Sequence, residues 1–139
     1  MKHEELTEKI IGAFYTVYNE LGAGFLESVY EEAMVIALAE AGVRFHRQHP
    51  VPVHFHGKRV GDFRADFVAE DCVVVELKAC SMLEKSHEAQ VINYLRGTRI
   101  EVGLLLNFGP KPQIRRIVLD NERKEVQAIP PSSAAKAGL

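Results

Sequence analysis

The segment Phe63–Lys78, FRADFVAEDCVVVELK, decides how this chain is expected to fold. Its two apolar stretches are separated by an acidic pair, which predicts two strands, at about 59–68 and 72–79, joined by a tight turn. Because strand side chains alternate between two faces, Glu76 and Lys78 should share one face of the second strand. Charged groups in so apolar a strand are costly to desolvate unless they are paired or bound to a metal ion.

The register of this hairpin determines whether Asp66 meets Glu76. If the numbers of paired residues add up to 142, the two carboxylates lie opposite each other around a turn centred on Asp71. Directly opposed residues have Cβ atoms about 5 Å apart, and like charges that close repel unless a cation lies between them. Mg²⁺ prefers a few carboxylates plus waters. Taken singly, each residue fits an ordinary surface ion pair; taken together, they predict a divalent-metal site.

Apolar periodicity predicts the elements that precede the hairpin. Two amphipathic helices are expected at about 10–21 and 26–41. Extended structure should begin around Pro50 and Pro52, because proline and the residue before it avoid helical backbone. His56–Lys58 is typical of a hairpin turn.

After the hairpin, the pattern predicts a helix at about 83–96 and strands at about 101–107 and 114–119. The strand–helix–strand passage should join parallel strands, whereas the hairpins are antiparallel, so the sheet is mixed. Helices packed on its faces give an α/β layered domain. Residues 1–129 are expected to form a single domain, and 130–139 a flexible tail with little to bury.

Composition excludes several classes of protein. The chain has 139 residues, of which 47% are hydrophobic and 26% charged, as in ordinary globular proteins. No apolar run approaches the length that spans a bilayer, and the charged N-terminus lacks the apolar core of a signal peptide. The net charge of -2 argues against a general nucleic-acid coat protein but allows a local basic groove. Cys72 and Cys80 form no CxxC motif, so a cytoplasmic location is expected.

Glu27 is a candidate third carboxylate. On a helical wheel it falls within the apolar sector of the second helix, where an ionised carboxylate needs a partner. The alternative, which the wheel alone favours, is an edge position whose carboxylate reaches solvent. The other acidic residues of this helix, Glu31, Glu32 and Glu40, need no special explanation if they lie toward solvent.

Basic residues and histidines offer further candidates. A rim for a phosphate backbone, or simply a mixed-charge surface, is predicted from Arg44, Arg47, Lys58, Arg59 and Arg64. His54 and His56 share a strand face, but no third ligand lies at a zinc-finger spacing, so no zinc site is expected. His87 either lines the cleft or lies on a helix surface.

Several motifs together resemble one known family. They are Gly24–Tyr30 (GFLESVY), Arg64–Phe67 (RADF), Glu76–Lys78 (ELK), His87–Tyr94 (HEAQVINY) and Asn107–Gly109 (NFG). The chain resembles a GxxExxY protein of the PD-(D/E)XK nuclease-like superfamily over roughly residues 5–120. The resemblance implies a restriction-endonuclease-like αβββαβ core, in agreement with the order above, and Mg²⁺-dependent phosphodiester hydrolysis as the ancestral chemistry.

The resemblance also implies roles for individual residues. Asp66 and Glu76 correspond to metal ligands and Lys78 to the catalytic lysine, with Glu27 as an additional acidic site residue. Gln90 and Tyr94 match a QxxxY element of some nucleases in the superfamily. The chain departs from the pattern at Ala65, where the motif has proline, although many superfamily members vary at this position.

Two functions from different classes follow. The first is a metal-dependent nuclease that uses Mg²⁺ or Mn²⁺ to cleave DNA or RNA. The alternative is a non-catalytic nuclease-like module that binds nucleic acid or a partner protein. The joint presence of acid, acid and lysine favours the enzyme. No feature of the sequence identifies a membrane contact, a protein partner or an oligomeric state.

Overall fold

A computed structural model describes residues 2–127, with side chains as far as residue 124. The order of helices and strands is the predicted one, followed by one short helix that the sequence did not predict, α4. The elements are α1 (Glu4–Leu21), α2 (Glu27–Glu40), β1 (Phe45–Phe55), β2 (Lys58–Ala69), β3 (Val73–Lys78), α3 (Lys85–Arg96), β4 (Val102–Phe108), β5 (Pro112–Val118) and α4 (Asn121–Gln127). The expected flexible tail, 130–139, lies outside the described residues.

The five strands form one mixed sheet in the order β1-β2-β3-β4-β5. β1, β2 and β3 are successive antiparallel neighbours. α3 then connects β3 to β4, which runs parallel to it, and β5 pairs with β4 in the antiparallel sense. The predicted α/β architecture with a mixed sheet is confirmed. No helix within residues 2–127 combines the length and hydropathy needed to cross a lipid bilayer.

Helices cover both faces of the sheet. α1 and α2 pack on one face, against residues such as Phe67, Val75 and Leu104. α3 packs on the opposite face, against Val74 and Leu105. Because the central strands are buried from both sides, β3 and β4 are almost continuously apolar. Polar residues inside these two strands therefore require a specific explanation.

An aromatic cluster ties the end of β4 to the two N-terminal helices. The ring of Phe108 stacks on Tyr30 with a centroid distance of 4.2 Å, and meets the edge of Phe14 at 4.7 Å. Aromatic pairs of this kind contribute about 0.5–1.5 kcal/mol each beyond the area they bury. The cluster thereby fixes α2 relative to the sheet.

β1 begins earlier than the sequence predicts. It starts at Phe45, not around Pro50 and Pro52. Proline is tolerated because β1 is an edge strand, where a missing N–H need not cost a ladder hydrogen bond. Gln48 interrupts the strand with a φ of 51°, in the left-handed region. The register with β2 is the same before and after this residue, so Gln48 lies across from Asp66.

Asn107 and Gly109 hold the chain that follows β3. The buried Asn107 amide donates to the Cys80 carbonyl oxygen at 2.9 Å, and its own carbonyl oxygen accepts from the Cys80 N–H at 3.0 Å. A Cβ on Gly109 would lie 2.1 Å from the same Cys80 oxygen. Only glycine permits this approach without displacing the backbone. Residues at the end of β4 and directly after it therefore hold the segment that follows Lys78 in place.

Candidate active site

The hairpin that carries Asp66 and Glu76 has the predicted register. β2 and β3 pair at Phe67–Val75, Val68–Val74 and Ala69–Val73, and each pair of numbers adds up to 142. Beyond the Phe67–Val75 pair, hydrogen bonds between backbone N–H groups and the two carboxylates connect the strands. The Asp66 N–H donates to Glu76 Oε1 at 2.9 Å, and the Leu77 N–H donates to Asp66 Oδ2 at 2.7 Å. Each carboxylate is thus anchored to the backbone of the opposite strand.

Asp66 and Glu76 are both harder to ionise than free carboxyl groups. Both side chains are half-buried. Burial raises the pKa of Asp66, although the hydrogen bond from Leu77 opposes the shift. Burial and then the Asp66 charge raise the pKa of Glu76 to about 8, while its hydrogen bond from Asp66 and the charge of Lys78 oppose the increase. Two negative charges at this place therefore call for a proton or a cation.

Asp66 lies where the side-chain alternation of β2 changes. Ala65 and Val68 both pack in the cluster beneath α3, although residues three positions apart on a regular strand point to opposite faces. Phe67 packs on the opposite face. The Asp66 carboxylate bonds to Gln48 of β1 as well as to β3. The break in alternation therefore lies between Ala65 and Phe67, next to Asp66, and the prediction that Asp66, Glu76 and Lys78 share one face stays a prediction.

Gln48 and Glu31 are site residues that the sequence did not predict. Gln48 Nε2 donates to Asp66 Oδ1 at 3.2 Å and to both Glu31 oxygens at 3.3 Å. Glu31 is half-buried and also accepts from Arg47 at 3.1 Å, so it does not simply lie toward solvent. Its charge raises the pKa of Asp66 more than that of Glu27 does. The available signal was the four-residue spacing, which puts both glutamates on one helix face.

Glu27 is the first residue of α2 and is exposed. Its charge still raises the pKa of both Asp66 and Glu76, although it is the smallest of the named causes. The preceding loop sets its position, because the Tyr30 hydroxyl donates to the Gly22 carbonyl oxygen at 2.5 Å and accepts from the Phe25 N–H at 3.2 Å. The tyrosine of the GxxExxY motif therefore stabilises the loop that leads into the glutamate.

The lysine and the QxxxY element occupy different environments. Lys78 is half-buried, and its charge lowers the pKa of Glu76. Tyr94 is 1% exposed, and burial followed by the Glu76 charge raises its pKa to about 12. Gln90 is exposed, so the structure does not bury it beside Tyr94. His87 caps α3, where its Nδ1 accepts from the Glu84 N–H at 2.9 Å.

Comparison with known proteins identifies the family. Residues 4–117 match the PD-(D/E)XK nuclease superfamily. The chain belongs to this superfamily. The crystal structure of SSO0001 is similar to it, with a TM-score of 0.56 and 18% identity, over 70% of this chain and 53% of that one. The chain thus spans about half the length of SSO0001. Among curated proteins, no match was found.

The PD-(D/E)XK fold explains the arrangement of the core. The mixed five-stranded sheet flanked by helices is restriction-endonuclease-like, and the site carboxylates come from β2 and β3. Superfamily members generally use divalent metals. Within residues 2–127, no group of three or more His, Cys, Asp or Glu side chains is arranged to hold a metal ion. The donor set nevertheless suits Mg²⁺, which takes one or two carboxylates and keeps several waters.

The predicted basic rim of this PD-(D/E)XK protein divides into two parts. Arg44 pairs with Glu70 at 2.9 Å. Arg47 pairs with Glu31 at 3.1 Å and Glu32 at 2.5 Å. These two arginines therefore neutralise carboxylates beside the sheet. The remaining members lie on β2: Lys58 and Arg59 near the tip of the first hairpin, where Arg59 pairs with Asp62 at 2.8 Å, and Arg64 at its base.

Proposed function

We propose that this chain is a metal-dependent nuclease that hydrolyses phosphodiester bonds in DNA or RNA, and that it belongs to the GxxExxY group of the PD-(D/E)XK superfamily. The observation that supports this proposal most strongly is the half-buried pair Asp66 and Glu76. Burial and then the charge of Asp66 raise the pKa of Glu76 to about 8, so Glu76 resists ionisation beside Asp66. Such an arrangement weakens a fold and is typical of functional sites.

Asp66 and Glu76 are the proposed ligands of Mg²⁺ or Mn²⁺. When bound, the ion lowers the pKa of its water and neutralises phosphate charge. The backbone N–H groups of Asp66 and Leu77 orient the carboxylates through their crossed hydrogen bonds. Gln48 holds the second oxygen of Asp66. The Gln48 side-chain amide is neutral. It can therefore position this oxygen without neutralising the Asp66 charge that would attract the metal ion.

Lys78 is the proposed catalytic lysine. It lies two residues after Glu76 on β3, and its ammonium group can orient the attacking water or stabilise the developing negative charge. The buried Tyr94 is near enough to Glu76 for the Glu76 charge to raise its pKa, and it is the proposed tyrosine of the site. Glu27 and Gln90 are exposed, which leaves them available to contact a substrate rather than the buried carboxylates.

The test is a cleavage assay on single- and double-stranded DNA, RNA and structured substrates, with Mg²⁺ or Mn²⁺ and with EDTA. We expect metal-dependent cleavage by the wild-type chain. Lys78→Ala should lose turnover and keep metal binding, since the lysine is not a ligand, whereas Asp66→Ala should lose both. Gln90→Ala should reduce turnover less, because it removes only positioning.

Two outcomes would decide against the proposal. A wild-type protein that cleaves none of these substrates would favour the non-catalytic binding module. Cleavage that is equally fast in Lys78→Ala would show that the proposed mechanism is wrong even if the protein is a nuclease. Arg99→Gln is a matched control, because it removes one exposed basic side chain from the loop between α3 and β4.

A further inference from the structure

The tip of the β1–β2 hairpin, residues 52–62, forms an arm. β2 pairs with β3 between Phe67 and Ala69, whereas its pairing with β1 continues outward to Lys58. Every residue from 52 to 62 is exposed. The arm closes in a two-residue turn at His56 and Gly57, whose φ angles of 52° and 77° match the favoured type I′ hairpin geometry. The arm therefore has regular structure without contributing to either core.

Folding alone does not account for the side chains of the arm. Phe55 is 64% exposed and Val60 is 63% exposed. A two-stranded hairpin is marginal in water by itself, and grouped exposed apolar residues usually mark a binding surface. The Phe55 ring also stacks on His56, with a centroid distance of 4.0 Å and an interplanar angle of 15°. This pair offers a flat aromatic platform at the tip.

The charge of the arm is opposite to that of the chain. With Arg64 at its base, it carries three basic residues and one acidic residue, Asp62, which gives a net charge of +2. The whole chain has a net charge of -2, so the remaining residues carry -4. Lys58 and Arg59 lie at the tip, next to the aromatic platform, where Arg59 also pairs with the exposed Asp62 at 2.8 Å. Phosphates are the natural complement of such a local basic patch.

The arm leads directly into the candidate active site. Arg64 lies two residues before Asp66 on β2 and donates to the Gln48 carbonyl oxygen at 3.1 Å. The Gln48 side chain in turn bonds to Asp66. A polyanion held along the arm is thereby directed toward the two carboxylates. A protein partner would not need this alignment of basic residues with the acidic pair.

From these features we propose that the arm binds nucleic acid, with Lys58 and Arg59 contacting phosphates and Phe55 stacking on an unpaired base. The proposal rests on the proposed nuclease function and adds the surface that captures its substrate. Base stacking on an exposed aromatic ring tolerates any sequence and requires a base that is free of its partner strand. Single-stranded substrates, or strands with unpaired ends, should therefore bind better than blunt duplexes.

The test measures binding of labelled single-stranded and blunt duplex DNA and RNA by fluorescence anisotropy, with EDTA to prevent cleavage. The arm variant is Lys58→Glu with Arg59→Glu. The control is Arg99→Glu with Arg123→Glu, which changes the net charge equally at exposed sites outside the arm. We expect the arm variant to bind at least about tenfold more weakly. The slope of log K against log salt should also fall by the amount that corresponds to about two phosphate contacts. The control should change far less.

Phe55→Ser separates stacking from charge. It should weaken binding of single strands by about fivefold or more and leave both blunt duplex binding and the salt slope unchanged. Equal losses in the arm and control variants would overturn the proposal, as would a wild-type chain that binds no nucleic acid. A wild-type dimer that becomes monomeric in the arm variant without loss of binding would instead assign the arm to self-association. Strong arm-dependent binding without cleavage would remove the nuclease function and leave the arm proposal standing.

Discussion

The backbone N–H of Asp66 donates to the Glu76 carboxylate at 2.9 Å. The Asp66 carboxylate repels the Glu76 carboxylate, whereas the Asp66 backbone N–H binds it. The bond with Leu77 anchors Asp66 in the same way on β3. Together these bonds keep two carboxylates together in a half-buried place where their charges oppose each other. The arrangement that fixes the two carboxylates therefore lowers the stability of the metal-free fold.

The first prediction follows from this conflict and concerns the metal-free protein. Glu76→Gln should raise the melting temperature, and the gain should increase with pH. The folded pKa of Glu76, about 8, lies above the ordinary 4.5. Between these values the unfolded chain loses the proton while the folded chain keeps it, so wild type loses stability as pH rises. Each unit of pKa difference corresponds to about 1.4 kcal/mol.

Thermal melts in EDTA at several pH values from about 4 to 9 measure this effect. The difference between variant and wild type should be small near the lower end, grow through the neutral range and level off above the folded pKa. The matched control is Glu40→Gln, which changes an exposed glutamate at the end of α2. A stability difference that does not vary with pH would contradict the prediction.

The second prediction concerns metal binding. Mg²⁺ or Mn²⁺ should raise the melting temperature of wild type, because a ligand that binds only the folded state stabilises it. The shift should shrink in Asp66→Asn and in Glu76→Gln, and persist in Lys78→Ala. An unchanged shift in both carboxylate variants would place the metal elsewhere on the protein.

The third prediction compares two glutamates of α2. Removing the charge of Glu31 should lower the pKa of Asp66 more than removing that of Glu27, since Glu31 is joined to Asp66 through Gln48 and exerts the larger charge effect. Carboxyl NMR titrations of Asp66 in Glu31→Gln and Glu27→Gln measure both shifts under identical conditions. An equal or reversed order would mean that the Gln48 bridge does not bring Glu31 close in solution.

The register of the β2–β3 hairpin is predictable from the sequence, whereas the surroundings of Asp66 are not. A short acidic turn between apolar strands fixes which residues pair, because a slip of one residue would expose the apolar face. The left-handed conformation of Gln48 has no comparable signal, since it depends on how β1 fits against β2. Because the sequence does not predict this conformation, it also does not predict that the Gln48 side chain reaches Asp66 and Glu31.

The arm also combines a feature that the local sequence predicts with one that depends on the whole sheet. Its turn at His56–Gly57 follows from local sequence, because positive φ angles favour glycine at such positions. Its separation from both cores depends on where β3 stops pairing with β2, which is a property of the whole sheet. The basic rim could therefore be predicted as a set of residues but not divided into members beside the sheet and members on the arm.

The fourth prediction tests how the chain after β3 is held, by means of two glycines. Gly109→Ala should lower the free energy of unfolding by about 1–3 kcal/mol or more, because its Cβ would lie 2.1 Å from the Cys80 carbonyl oxygen and force the backbone apart. Gly12→Ala is the control. Nothing lies within 4 Å of its Cβ, and it is in the interior of α1.

Alanine at that helical position should raise stability by about 0.5–1 kcal/mol. Chemical denaturation measures both variants, and the cleavage assay provides a second measurement. Gly109→Ala should also reduce turnover, because the displaced segment begins two residues after Lys78. Gly12→Ala should leave turnover unchanged, since α1 carries none of the proposed site residues. If Gly109→Ala were as stable and active as wild type, the contact between Gly109 and Cys80 would not be what positions the lysine end of β3.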